Sequence, residues 1–231
     1  MSKFGLLGKI RIFQNILSHL LAKFNPAVMH NLGKYIAIKK TFYLSSIERT
    51  KGDYYEFGVY TGSSFTHAIR CAKYHEKYDS NLSSMKFYGF DSFKGFGELD
   101  ESEEHSFYTD INFMTNYKKV LNRVKKILPL DRFSLEEGFF EETLKTKPKS
   151  KLARIIFIDS DTYSSAYLAF NYVSSIIQEG TIIILDDYFS YKGKKNKGVH
   201  GAFRKFVEEK NLNTRTIFSY GMGGVVKIIV K

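Results

Sequence analysis

The apolar positions change period along the chain, and the change divides it. In the first 25 residues Phe4, Leu7, Ile10, Phe13, Leu17, Leu20 and Phe24 recur at three- and four-residue spacing, one face of an amphipathic helix. Farther on, short apolar runs alternate with helical patterns. Runs at 54–60, 87–91, about 133–137, 154–159 and 181–186 read as strands. The last two are almost wholly apolar, as strands covered on both faces are. Helices are predicted from about residue 63, over about 113–128, near Glu141, from the end of the fourth strand to about Gln178, and over about 199–210. Two closing strands, 214–219 and 225–230, are joined by Tyr220-Gly221-Met222-Gly223-Gly224, a glycine-rich connection that favours a hairpin. Such alternation implies an α/β, Rossmann-like sheet with right-handed crossovers and helices on both faces, mostly parallel with a C-terminal antiparallel hairpin. The expected division is a basic helical segment, 1–50, before one α/β domain, 51–231.

Composition narrows the class. The chain has 231 residues, 43% hydrophobic and 26% charged, which suits one globular domain and argues against disorder. The single cysteine, Cys71, forms no disulfide framework and reads as a buried apolar residue, which fits a reducing compartment. No apolar run approaches the roughly 20 residues of a membrane span. Arg11, Gln14, Asn15 and His19 interrupt the N-terminal run and no small-residue cleavage site follows it, so a cytoplasmic location is expected. The net charge is +11, and residues 1–47 hold Lys3, Lys9, Arg11, Lys23, Lys34, Lys39 and Lys40 without one acid. A basic amphipathic helix can dock on its own domain or on a second copy in a homo-oligomer, or lie on an anionic membrane surface. No helix-turn-helix, zinc-finger or aromatic RNA-binding signature accompanies the charge, so nucleic acid is not expected as a partner.

Ligands of open parallel sheets bind beyond the carboxyl ends of the strands. The first predicted strand runs into Glu56-Phe57-Gly58-Val59-Tyr60-Thr61-Gly62-Ser63, with glycines where the chain turns and approaches a ligand, and a serine able to cap the next helix. Its spacing differs from the G-x-G-x-x-G of dinucleotide sites, which argues against a nicotinamide-dependent dehydrogenase. Glu56 is a carboxylate in an apolar strand and needs a partner, for which a ligand amino group is one candidate. Asp91 ends the second strand, where an acid commonly receives ribose hydroxyls. Asp159 and Asp161 end the fourth strand, and Asp186 and Asp187 the fifth. Four carboxylates at one edge would repel one another, and a hard divalent cation, Mg²⁺ or Ca²⁺, would remove that repulsion. Asp161 also precedes a helix and is a candidate N-cap.

Glu56-x-Gly58-x-x-x-Gly62, Gly89-Phe90-Asp91-Ser92-Phe93-x-Gly95, Glu137-Gly138-Phe139-Phe140-x-x-Thr143-Leu144, Ile158-Asp159-x-Asp161-x-Tyr163 and Asp186-Asp187-Tyr188 together resemble the macrocin O-methyltransferase family, over about residues 53–210. The resemblance implies a class I, metal-dependent methyltransferase domain that uses S-adenosylmethionine to methylate sugar hydroxyls. It implies a cofactor site at Glu56, Gly58, Tyr60, Thr61, Gly62, Ser63, Asp91, Ser92, Gly138, Phe139, Phe140 and Asp159. It implies Mg²⁺ on Asp159, Asp186 and Asp187, with Asp161 as general base. Ser160 stands where the family usually has glycine. The lysine-rich loop at 191–198 is a candidate for recognising a phosphate or carboxylate on the acceptor. His200 reads as a helix-start residue. A catechol-type O-methyltransferase and a non-catalytic binding protein are the alternative readings.

Overall fold

The computed structural model describes residues 11–101, 103–108 and 113–230. Phe4, Leu7 and Ile10 of the expected N-terminal stripe, with Lys3 and Lys9, lie outside the described residues. One seven-stranded sheet forms the centre, in the order β3-β2-β1-β4-β5-β7-β6. Its strands are β1 (Asp53–Phe57), β2 (Phe87–Asp91), β3 (Phe133–Glu137), β4 (Ala153–Ile158), β5 (Ile182–Leu185), β6 (Asn213–Tyr220) and β7 (Gly224–Val230). Strands β1 to β5 pair in parallel. Strand β7 runs antiparallel to both β5 and β6, so the hairpin inserts its second strand next to the parallel set.

Side chains that alternate along each strand feed two cores. Tyr54, Phe87, Ile155, Phe157, Ile182 and Ile184 face one side, with Ile38 and Phe42 of α2 (Pro26–Ile47), Phe65 and Ile69 of α3 (Ser63–His75), and Val120 and Val124 of α4 (Tyr117–Lys125). Tyr55, Phe57, Tyr88, Phe90, Ile156, Ile158, Ile183 and Leu185 face the other. There they meet Phe140 of α5 (Phe140–Thr143), Phe170 of α6 (Tyr163–Val173), and Phe203 and Phe206 of α7 (Gly198–Glu209). Burial on both faces explains the continuous apolar runs of β4 and β5.

Packing adds to the sequence reading at the N-terminal side. Helix α2 lies within the segment assigned to 1–50 and packs against the sheet. Ala37, Ile38 and Phe42 are buried, and a Cβ on Gly33 would come within 2.6 Å of the Gly221 backbone nitrogen, so helix and hairpin turn touch through glycine. The helix expected over 113–128 begins at Tyr117, because Asn116 caps it with a side chain that accepts the Lys119 N–H. Helix α1 (Arg11–Ala22) buries none of its residues, so docking on its own domain is not seen; Ile12, Ile16, Leu20 and Leu21 are exposed. Among the described residues no helix is long and apolar enough to cross a membrane.

Candidate active site

The chain order turns outward in both directions from β1 and β4, which makes their carboxyl ends the switch point of the sheet. Gly58 closes that edge. Its φ is +94°, and a Cβ there would lie 1.9 Å from the Asp159 carbonyl oxygen. Only glycine lets the ends of β1 and β4 approach this closely. Four non-glycine residues just beyond strand ends adopt left-handed backbone: Tyr60 after β1, Phe93 after β2, Asp161 after β4 and Asp187 after β5, with φ of 50°, 57°, 62° and 47°. Each such conformation costs on the order of 1 kcal/mol, and strain gathered at one edge marks a functional site.

A cavity of about 800 Å³ opens there. Of the residues predicted for a cofactor, it is lined by Gly58, Tyr60, Thr61, Ser63, Asp91, Ser92, Phe139, Phe140 and Asp159. Glu56, Gly62 and Gly138 are not among its lining residues. Gly62 precedes α3 with φ +74°, beneath Val120, and Gly138 precedes α5 with φ +147°. Glu56 is fully buried, and its carboxylate accepts hydrogen bonds from the hydroxyls of Tyr54 (2.5 Å) and Ser64 (2.6 Å). Its partners therefore come from this chain. Burial pushes its pKa up to about 7, against both hydroxyls. Asp91 has one oxygen on the Tyr60 N–H (2.7 Å) and the other on the Phe93 N–H (2.6 Å), which fixes the carboxylate at the cavity wall. Burial raises its pKa, opposed by those amides.

The four aspartates split into two groups. Asp159, Asp161 and Asp187 each offer a carboxylate oxygen, all within 4.8 Å of one another. Burial raises the pKa of all three. The next cause is Asp186 for Asp159 and for Asp187, and Asp187 for Asp161. Clustered oxygen donors of this kind fit a hard divalent cation. Beside them Ser160 Oγ is buried without a hydrogen-bond partner among the described residues, on the cavity wall. Asp186, expected among the metal ligands, has protein partners of its own. Lys34 Nζ lies 2.5 Å and His30 Nε2 3.1 Å from Oδ2, and the Tyr220 hydroxyl donates to Oδ1 at 2.7 Å. Burial pushes Asp186 up, but Lys34 and His30 outweigh it and hold the carboxyl well below its ordinary range. Asp161 does not act as the helix cap; Thr162 caps α6, accepting the Ser165 N–H.

His30 and Lys34, from α2, are the site residues that sequence reasoning missed. Their only signal was two basic side chains one turn apart on an apparently peripheral helix. The loop after β2 also reaches the site. Glu98 and Leu99 line the cavity, and buried Glu103 binds the backbone N–H and the hydroxyl of Ser164, both at 2.6 Å, tying the loop to α6. Phe96, Phe107, Phe113 and Met222 complete an apolar wall.

The family model for macrocin O-methyltransferase (TylF) matches residues 37–219. The chain belongs to the macrocin O-methyltransferase family. It is an O-methyltransferase with the class I sheet. Its fold is similar to that of the O-methyltransferase NovP, at 17% identity and a TM-score of 0.69 over 86% of this chain and 80% of NovP. It is also similar to the calicheamicin methyltransferase CalS11, at 16% identity and 0.65 over 97% and 89%. A third similar structure is TomG from Streptomyces achromogenes, solved with S-adenosylmethionine, at 12% identity and 0.53 over 84% and 80%. No curated protein matches the sequence. In this macrocin-family member, Lys192, Lys194, Lys195 and Lys197 of the basic loop are not among the cavity-lining residues. His200 stacks on Tyr188 with ring centroids 4.3 Å apart, away from the aspartates' cavity wall.

Proposed function

We propose that the protein transfers a methyl group from S-adenosylmethionine to a hydroxyl of a sugar or sugar-bearing small molecule, with a divalent ion, Mg²⁺, at the carboxylate triad. The observation that carries this reading is one cavity with Asp91 at the β2 end and Asp159, Asp161 and Asp187 at the ends of β4 and β5. The fit of a cation rests on three acids gathered at one point, of which only Asp159 has a cationic partner among the described residues, Lys34. The sugar reading is supported by family membership and by similarity to the calicheamicin methyltransferase CalS11, a TDP-rhamnose 3′-O-methyltransferase.

Each residue then has a task. Asp91, fixed by two amides, receives the ribose hydroxyls, with Ser92 beside it on the wall. Phe139 and Phe140 supply an apolar surface for the adenine. The turn from Gly58 to Ser63, which lines the cavity through Gly58, Tyr60, Thr61 and Ser63, would receive the methionine portion. Asp159 and Asp187 would hold the metal with Asp161 beside them, while Asp186 stays on its protein partners. When bound, the two groups supply an electrophilic methyl and a Lewis acid that lowers the pKa of an acceptor hydroxyl. Asp161, buried on the cavity wall, takes the proton as the hydroxyl oxygen attacks. Holding both substrates in line is the protein's main contribution to rate.

The test is calorimetric titration of S-adenosylmethionine into wild type and Asp91→Ala, followed by a panel of sugar and catechol acceptors. Micromolar binding that Asp91→Ala abolishes is expected, with turnover of sugars. Folded protein that binds neither S-adenosylmethionine nor its demethylated product overturns the cofactor reading. Turnover of catechols alone overturns the sugar reading.

A further inference from the structure

A cation is already built into this site. Lys34 Nζ stands 2.8 Å from Asp159 Oδ2 and 2.5 Å from Asp186 Oδ2, so one ammonium spans the ends of β4 and β5. It is nearly buried, with 11% of its side chain exposed, and lies 5.7 Å from the Phe157 ring centre. Its position is fixed from three directions. Asn25 caps α2 and Pro26 begins it, which sets the helix start. One turn before Lys34, His30 Nδ1 accepts the Met222 N–H at 3.1 Å, so the proton sits on Nε2, which donates to Asp186. Between them, Gly33 packs against the Gly221 backbone. The ammonium is therefore a fixed charge. It reaches Asp159, which is shared with the triad, and Asp186, which is not.

We propose that Lys34 is a positioning residue that acts as a tethered counter-ion of the metal centre. It holds the β4 and β5 carboxylates together in the metal-free protein and confines a divalent ion to the Asp159–Asp161–Asp187 side. It also lowers the affinity for that ion. The inference rests on the metal reading above. A lysine ammonium is a compact point charge on a flexible stem, and here it sits between two carboxylates. Its positive charge, a few ångströms from the triad and in partly buried surroundings, opposes a dication strongly enough to change affinity by more than tenfold. Without it, Asp159 and Asp186 repel, and a divalent ion becomes the remaining charge able to hold them.

The experiment is Mn²⁺ binding by electron paramagnetic resonance on the chelator-treated full chain, with melting temperatures measured with and without Mg²⁺. Wild type, Lys34→Met, Lys34→Arg and Asp187→Asn are compared. Lys34→Met is expected to bind Mn²⁺ at least tenfold more tightly than wild type and to gain more melting temperature from Mg²⁺. Lys34→Arg keeps the charge and stays within about threefold of wild type in Mn²⁺ affinity. If Lys34→Met does not fold without metal, refolding in Mn²⁺ is expected to rescue it, and failure of that rescue overturns the proposal. Affinity in folded Lys34→Met equal to or weaker than wild type overturns it and leaves the metal reading standing. Equal Mn²⁺ binding by wild type and Asp187→Asn instead overturns the metal reading, and this inference with it.

Discussion

Replacing Glu56 by glutamine isolates one electrostatic cost that the chain carries in the core beside its active site. Glu56 is fully buried in β1, and burial raises its pKa from an ordinary 4.5 to about 7, although the Tyr54 and Ser64 hydroxyls both donate to it. The folded state therefore binds a proton between about pH 4.5 and 7 that the unfolded chain releases. Stability contributed by the neutral acid is fully present below the unfolded pKa and is lost as pH rises through the folded one. The rise to about 7 corresponds to about 3 kcal/mol at about 1.4 kcal/mol per tenfold change. Glutamine keeps the shape and an acceptor oxygen for one hydroxyl, and it cannot ionise. The stability of Glu56→Gln relative to wild type should thus improve by about 3 kcal/mol from pH 4.5 to pH 8. The assay is urea unfolding followed by circular dichroism across that range in chelator, with the difference between the two proteins taken at each pH, because Asp159 and Asp161 also titrate. Parallel profiles would refute the reasoning, since they would mean that the two hydroxyls offset the desolvation of the carboxylate entirely.

Two further predictions concern stability. Gly58→Ala should cost several kcal/mol in urea unfolding or prevent folding, because its Cβ meets the Asp159 carbonyl oxygen at 1.9 Å on a backbone with φ +94°; a loss under about 1 kcal/mol would show that β1 and β4 can separate freely. Arg154 is 1% exposed, with Nη1 2.8 Å from Asp79 Oδ2 and further bonds to Ser45 and Ser46 of α2. Arg154→Met should destabilise by about 3–5 kcal/mol by leaving Asp79 unpaired, and Arg154→Met with Asp79→Leu should recover most of it; a double variant no more stable than the single one would refute that account.

The linear pattern of the chain determined the sheet and the edge that matters. Strands β2 and β3 fall where the apolar runs placed them, and the others differ by a few residues at their ends. This was legible because strands buried on both faces must be apolar throughout, and because glycine is required wherever the backbone crosses closely, as at Gly58. Asp91, Asp159, Asp161, Asp186 and Asp187 were legible as candidates for one cavity edge, since they end the second, fourth and fifth apolar runs. Their division of labour was not. Which carboxylates share a cation and which takes an ammonium depends on distances of a few ångströms between segments more than 100 residues apart, such as Lys34 and Asp159. Nor did the sequence show that Glu56 is paired by Tyr54 and Ser64, or that α2 packs into the core. Periodicity reports which face of an element is apolar, and strand ends report where polar groups gather. Only tertiary packing decides which distant charge meets them, because that choice is fixed by the docking of α2 against the β6–β7 turn and leaves no trace in local spacing.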